Sequence, residues 1–86
     1  MERFRENFEL ETSCKNVETA FRRFEKKFGK AWEVWGETLV YMAENGIAHM
    51  EEIDKDFGGW SLWLYQDEQF EWYYIAIVLT DETQKL

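Results

Sequence analysis

The last third of the chain has a pattern of apolar residues that predicts a β-hairpin. Residues 60–66 and 70–79 are rich in aromatic and β-branched residues, and the polar break 67–69 separates them. Two such runs on either side of a short polar break are typical of antiparallel strands. Side chains alternate between the two faces of a strand, so both runs place large apolar residues on both faces. We therefore place this hairpin at the centre of the predicted fold.

A helical period predicts an α-helix over residues 16–28. The apolar residues at helical spacing are Val17, Ala20, Phe21, Phe24 and Phe28. They form one stripe along a helix. Asn16 suits the N-cap, and Gly29 suits the position just beyond the last turn. The opposite face is basic, with Arg22, Arg23, Lys26, Lys27 and Lys30.

Residues 31–45 are open to two interpretations. Apolar residues continue at helical spacing, and Gly46 followed by Ile47 is typical of a helix end. Several β-branched and aromatic residues in the same stretch favour a strand instead, and Asn45-Gly46 is also a hairpin-turn signal. We favour a second helix over 31–44, with a strand over residues 33–43 as the alternative.

These elements predict an α+β fold in a single domain, residues 1–86. Residues 7–12 alternate as a short edge strand, and residues 47–54 predict another strand with acidic residues on an exposed face. The predicted architecture is one or two helices packed on a small antiparallel β-meander. The alternative order is β-α-β-β-β-β, with 33–43 as a strand. A chain of 86 residues is too short to stabilise two separate cores.

The charge is unevenly distributed along the chain. Residues 1–30 carry eight Lys/Arg and six Asp/Glu, a balance of +2, whereas residues 31–86 carry two Lys and twelve Asp/Glu, a balance of −10. An acidic surface repels nucleic acids and anionic membranes and attracts basic protein surfaces. We therefore expect no direct nucleic-acid or membrane binding. The basic face of the first helix is interpreted as a solvated face; the alternative is a site for a phosphate or an acidic partner.

Candidate chemistry is sparse, and we expect no enzyme activity, cofactor or metal site. Residues 54–59 superficially resemble a calcium loop, but Gly58 stands where the EF-hand pattern needs an oxygen ligand. His49 and Glu51 would share a strand face, yet metal sites normally need three or four ligands. With one His and one Cys, nothing in the pattern assembles a hydrolytic triad.

The sequence also predicts a cytoplasmic location, which includes a host cytoplasm for a phage-encoded protein. Charged residues stand near the N-terminus, where a signal peptide needs an apolar stretch. The apolar run 72–79 is far shorter than the ~20 residues that span a bilayer. Cys14 is the only cysteine, which favours a reducing compartment.

The hairpin carries the predicted interaction surface. One helical layer covers only one face of a sheet, so aromatic residues on the other face remain available to a partner, beside acidic residues. The alternatives are that N-terminal residues such as Phe4 and Phe8 cover this face, or that a second copy of the chain buries it. The predicted partner-binding residues are Trp63, Tyr65, Asp67, Glu68, Glu71, Tyr73, Glu51 and Glu52.

These features favour a non-enzymatic inhibitor that blocks a basic, nucleic-acid-binding surface of another protein. Regularly spaced carboxylates can imitate nucleic-acid phosphates, and opposite charge speeds the encounter. In size, charge and lack of catalytic motifs the chain is similar to small acidic phage inhibitors, including anti-CRISPR and anti-restriction proteins. The alternatives are an antitoxin or immunity protein, a homodimerising structural subunit, and a small enzyme or ligand-binding domain.

Overall fold

A computed structural model describes residues 4–54 and 58–81. Its elements are β1 (Phe4–Ser13), α1 (Val17–Lys27), α2 (Gly29–Asn45), β2 (His49–Asp54), β3 (Gly58–Asp67) and β4 (Trp72–Asp81). Two helices pack on a four-stranded antiparallel sheet, so the predicted α+β class is confirmed. Neither of the two helices that the structure describes is long and apolar enough to cross a membrane.

The sheet has the strand order β1-β4-β3-β2, and every neighbouring pair is antiparallel. Strands β2, β3 and β4 follow one another as the predicted meander. The predicted edge strand 7–12 lies within β1, which pairs with β4 along its whole length. The last strand of the chain therefore pairs with the first. Helices α1 and α2 form the connection between β1 and β2.

Helix α1 begins as the sequence predicts. The side-chain oxygen of Asn16 accepts a hydrogen bond from the Thr19 backbone N–H at 2.9 Å, which satisfies a donor of the first turn. The end of the helix differs from the prediction. Phe28 leaves the helical conformation with φ −132° and ψ 61°, and Gly29 is already the first residue of α2. Gly29 thus follows the C-cap Phe28, where the sequence placed it, but it begins a second helix and does not have a positive φ.

Residues 29–45 are helical, so the alternative strand over 33–43 is wrong. Ala31, Leu39 and Met42 are buried at helical spacing. Burial of this stripe against the sheet outweighs the β propensity of the residues between them. Gly46 ends the helix with φ 66°, a left-handed conformation that glycine adopts without strain, and its N–H donates to the carbonyl of Met42.

The core lies between the helices and one face of the sheet. Its largest fully buried side chains are Tyr73, Phe24, Leu39, Met42, Leu62, Leu64, Ile75 and Ile77. In the register, Leu10, Ile75 and Leu64 lie side by side on neighbouring strands and face the helices. We call this side the inner face of the sheet and the opposite side, which neither helix covers, the outer face.

The turn between β3 and β4 is one residue longer than the predicted break. It spans residues 68–71, and a side-chain oxygen of Asp67 accepts a hydrogen bond from the Phe70 N–H at 3.1 Å. Phe70, which the sequence places in the last strand, is instead exposed in this turn. Glu71 has a positive φ of 53°, and its carbonyl accepts a hydrogen bond from Cys14 N–H.

Candidate protein-binding surface

Four aromatic rings lie on the outer face of the sheet. Strand alternation places Trp63 and Tyr65 of β3 and Trp72 and Tyr74 of β4 there, because their sequence neighbours face the helices. Trp63 is 43% exposed and Tyr65 is 52% exposed. The rings of Tyr65 and Trp72 meet edge to face, with centroids 5.4 Å apart. Large aromatic side chains therefore contact solvent together on one side of the molecule.

These rings line an open groove with a volume of about 790 Å³. Tyr65 and Tyr74 are opposite each other in the register, and Glu11 of β1 is opposite Tyr74 on the other side. The groove is lined by Trp63, Tyr65, Trp72, Tyr74, Glu9, Glu11 and Asp67, together with Ala48 and Leu64. Aromatic walls with carboxylates at the margin are suited to a ligand that is both flat and cationic.

Glu9 and Glu11 make the groove acidic. Both side chains are exposed on β1, and their registered neighbours on β4 are Ala76 and Tyr74. The pKa of Tyr74 is raised by burial first, and then by the negative charges of Glu9 and Glu11. A phenol is neutral at physiological pH even at its ordinary pKa of about 10, and the two carboxylates favour that neutral form further.

His49 and Glu51 share the outer face, as the sequence predicts. The imidazole of His49 stacks on the indole of Trp63 with centroids 3.8 Å apart and planes 22° apart. Its Nε2 lies 3.1 Å from a carboxylate oxygen of Glu51, within ion-pair distance. This contact lacks hydrogen-bond geometry, and Nε2 is shielded from solvent. His49 thus covers one side of Trp63 and lies beside the Glu51 carboxylate without a hydrogen bond to it.

The residues that the structure describes form no metal site. Within 4–54 and 58–81, no group of three or more His, Cys, Asp and Glu side chains comes close enough to hold an ion. The calcium-like stretch 54–59 includes residues 55–57, which lie outside the described residues.

Seven of the eight predicted partner-binding residues fall in three places. Trp63, Tyr65, Glu51 and Asp67 lie on the outer face. Glu68 and Glu71 lie in the turn at one end of the sheet and are exposed. Glu52 lies on the inner face near its edge, where a carboxylate oxygen is 3.3 Å from the indole Nε1 of Trp60, which donates to it.

Tyr73 is the one predicted residue that the structure removes from any accessible surface. It is 0% exposed, because it belongs to the same alternating set as Ile75 and Ile77, which pack under the helices. Its hydroxyl donates to the carbonyl of Lys15 at 3.4 Å. Burial raises the pKa of Tyr73 most, and nearby Glu68 adds to the shift. The expected contact of Tyr73 with a partner is therefore wrong.

Sequence reasoning missed Glu9 and Glu11. It also left open which alternating residues of the last strand face the helices, so it did not assign Trp72 and Tyr74 to the outer face. The alternation of β1 carried a signal, since Phe8 and Leu10 are apolar and Glu9 and Glu11 are not. What placed the two carboxylates beside the aromatic rings is the pairing of β1 with β4, two strands that are far apart in the chain.

The basic stripe of α1 lies on the opposite side of the molecule. The basic residues of α1 are all exposed on the helical layer. Arg23 donates to the carbonyl of Ser13 at 2.8 Å and to the hydroxyl of Thr12, so it links α1 to the end of β1. The chain thus has an acidic, aromatic sheet side and a helical side with a basic stripe.

Comparison with protein-family models, with curated proteins and with solved structures finds no match for this chain. Its function is therefore inferred from its own residues and their geometry.

Proposed function

We propose that this chain is a non-enzymatic inhibitor that binds a basic surface of another protein through the outer face of its sheet. The observation that supports this function is the exposure of aromatic rings on the face of the sheet that neither helix covers, within residues 4–54 and 58–81. Trp63 and Tyr65 remain exposed on it, and Glu9 and Glu11 line the same groove from β1, on the far side of β4. Aromatic anchors surrounded by polar residues are the usual composition of an energetically important protein interface.

The charge favours a partner whose own ligand is a polyanion. The chain has a net charge of −8, and the carboxylates of β1 project from alternate positions of one strand. Such an arrangement attracts a surface that evolved to bind phosphates, and it steers the encounter at low ionic strength. The proposed targets are nucleases and other nucleic-acid-binding proteins in the cytoplasm, as for anti-CRISPR and anti-restriction inhibitors. An antitoxin or immunity protein would use the same contacts.

Pairing of two outer faces is disfavoured by the same charges. A symmetric dimer whose two-fold axis passes through the groove would bring the Glu9 and Glu11 side chains of two copies together, and like charges across an interface are destabilising. The aromatic face therefore fits a basic partner better than a second identical face.

The test compares two charge-reversal variants of equal net charge. Glu9→Lys with Glu11→Lys changes the outer face, and Glu33→Lys with Glu37→Lys changes exposed positions on α2. Proteins captured from the source cells by the wild-type chain are purified, and their association rates with all three chains are measured at several salt concentrations. We expect the β1 variant to associate about tenfold more slowly at low salt, and the α2 variant to remain close to wild type.

Circular dichroism and thermal unfolding of the three chains control for folding. If association with the captured protein is equal for both variants and indifferent to salt, the proposed function is wrong.

A further inference from the structure

We infer that the groove on the outer face receives the side chain of one arginine from the partner protein. This inference rests on the proposed function, because the arginine belongs to the basic surface that the chain binds. It adds a specific ligand chemistry to that function, namely a guanidinium group held between aromatic rings and carboxylates.

The walls of the groove suit a planar cation. Tyr65 and Trp72 meet at an interplanar angle of 61°, so their rings form a corner rather than one flat surface. Trp63 contributes a third ring, and the stacked His49 supports it from one side. Cations bind over the faces of Trp and Tyr rings, and arginine does so more often than lysine.

The carboxylates that remain available are Glu9 and Glu11. Asp67 already accepts the Phe70 N–H with one oxygen, and Glu51 is in contact with His49. Glu9 and Glu11 are exposed, and they line the groove from the β1 side. A guanidinium group stacked on the rings can donate two parallel hydrogen bonds to a carboxylate.

Arginine fits this combination better than lysine. The guanidinium group is planar, weakly hydrated and always charged, so it loses little hydration when it stacks on an aromatic ring. The lysine ammonium is compact and strongly hydrated, and it cannot form the bidentate pair. The groove volume of about 790 Å³ also leaves room for the aliphatic part of the arginine side chain.

The experiment is a nuclear magnetic resonance titration of the whole, ¹⁵N-labelled chain with three small probes. The probes are N-acetyl-arginine amide, N-acetyl-lysine amide and N-acetyl-citrulline amide, the last having the shape of arginine without its charge. The readout is the indole N–H signals of the five tryptophans. We expect saturable shifts for Trp63 and Trp72 with the arginine probe, and a dissociation constant on the order of 1 mM.

The signals of Trp32, Trp35 and Trp60 should stay in place, because these residues pack on the helix side of the sheet. The lysine probe should bind at least about threefold more weakly than the arginine probe, and the citrulline probe more weakly still. Equal affinity for arginine and lysine, or shifts confined to the helix-side tryptophans, would overturn the inference.

Two isosteric variants separate the groove from general charge. Glu11→Gln removes one carboxylate from the groove, and Glu37→Gln removes one from α2, and both positions are exposed. We expect Glu11→Gln to raise the dissociation constant of the arginine probe at least about threefold, and Glu37→Gln to leave it unchanged. An equal effect of the two variants would contradict the assignment.

Failure of this inference is distinguishable from failure of the proposed function. If the arginine probe does not bind, but Glu9→Lys with Glu11→Lys still slows association with the partner, only the arginine site is wrong. If the probe binds in the groove while that variant associates normally, the inhibitor proposal is wrong. Sedimentation of the chain over a range of concentrations tests a second copy as the occupant. Self-association that the arginine probe reverses would overturn the assignment to a partner protein.

Discussion

Tyr73 and Tyr74 are neighbours in the chain with opposite environments. Tyr73 faces the helices and is fully buried, whereas Tyr74 lies on the outer face near Glu9 and Glu11. The pKa of each is raised, in both cases by burial first. Secondary contributions come from the turn carboxylate Glu68 for Tyr73 and from the β1 carboxylates for Tyr74.

The raised pKa of Tyr73 gives a prediction for alkaline stability. The folded state holds this proton more tightly than the unfolded state, whose tyrosine pKa is about 10. The resulting contribution to stability is fully present below pH 10, and it is lost as the pH rises through the folded pKa. We therefore expect the free energy of unfolding to fall more steeply above pH 10 in wild type than in Tyr73→Phe.

Urea unfolding at pH 7 to 11 measures this difference. At pH 7 the variant should lose no more than about 1 kcal/mol, because within the described residues the hydroxyl makes one long hydrogen bond, to the Lys15 carbonyl. Parallel pH profiles for the two proteins would show that Tyr73 is not held in its neutral form by burial.

At this residue scale, the sequence predicted that the hairpin alternates but not which set faces the core. Both sets of the last strand contain large apolar side chains, so hydrophobicity alone does not separate Tyr73 from Tyr74. The deciding contacts come from Phe24, Leu39 and Met42 on the helices, which pack over Ile75 and its neighbours. Such tertiary contacts are not encoded in any local pattern.

At the scale of the elements, α2 contains a close contact that explains its central glycine. A Cβ atom at Gly36 would lie 2.7 Å from the indole of Trp32, one turn earlier. That indole is itself packed against Phe21, with ring centroids 5.2 Å apart, and against Phe24. Glycine, which is unfavourable in a helix interior, therefore lets Trp32 lie across the helix surface and join the two helices.

We expect Gly36→Ala to destabilise the protein although alanine is the better helix former. Displacing a packed ring costs about 1–3 kcal/mol, and the gain in helix propensity returns about 1 kcal/mol. Gly29→Ala is the matched control, since no neighbour among the described residues lies within 4 Å of the added Cβ. This control should be neutral or stabilising by up to about 1 kcal/mol. Chemical unfolding of both variants provides the comparison, and a stabilised Gly36→Ala would refute the packing role of Trp32.

The elements were predictable to different degrees. The Asn16 cap and the stripe through Phe21 and Phe24 predicted α1 nearly residue by residue. The second helix was ambiguous because its β-branched and aromatic residues favour a strand locally, and only burial of Leu39 and Met42 against the sheet selects the helix. The pairing of β1 with β4 involves no local signal, so the position of Glu9 and Glu11 beside the aromatic rings was not predicted.

At the scale of the whole molecule, two layers produce two different sides. The helices bury one face of the sheet, and the aromatic and acidic residues of the other face stay accessible. The sequence predicted this asymmetry from the number of helices, and it assigned Trp63 and Tyr65 to the surface. The sequence did not show that Glu52 lies on the inner face near its edge, or that Tyr73 is buried, rather than on the outer face.

The central claim is that the outer face, rather than the helical side, contacts the partner. Hydroxyl-radical footprinting with mass spectrometry tests it, because the two sides carry a matched pair of tyrosines. Tyr65 on the outer face and Tyr41 on α2 are each 52% exposed. In the complex with the captured basic protein, we expect Tyr65 to lose most of its reactivity and Tyr41 to keep it. Protection of Tyr41 with Tyr65 still reactive would contradict the claim.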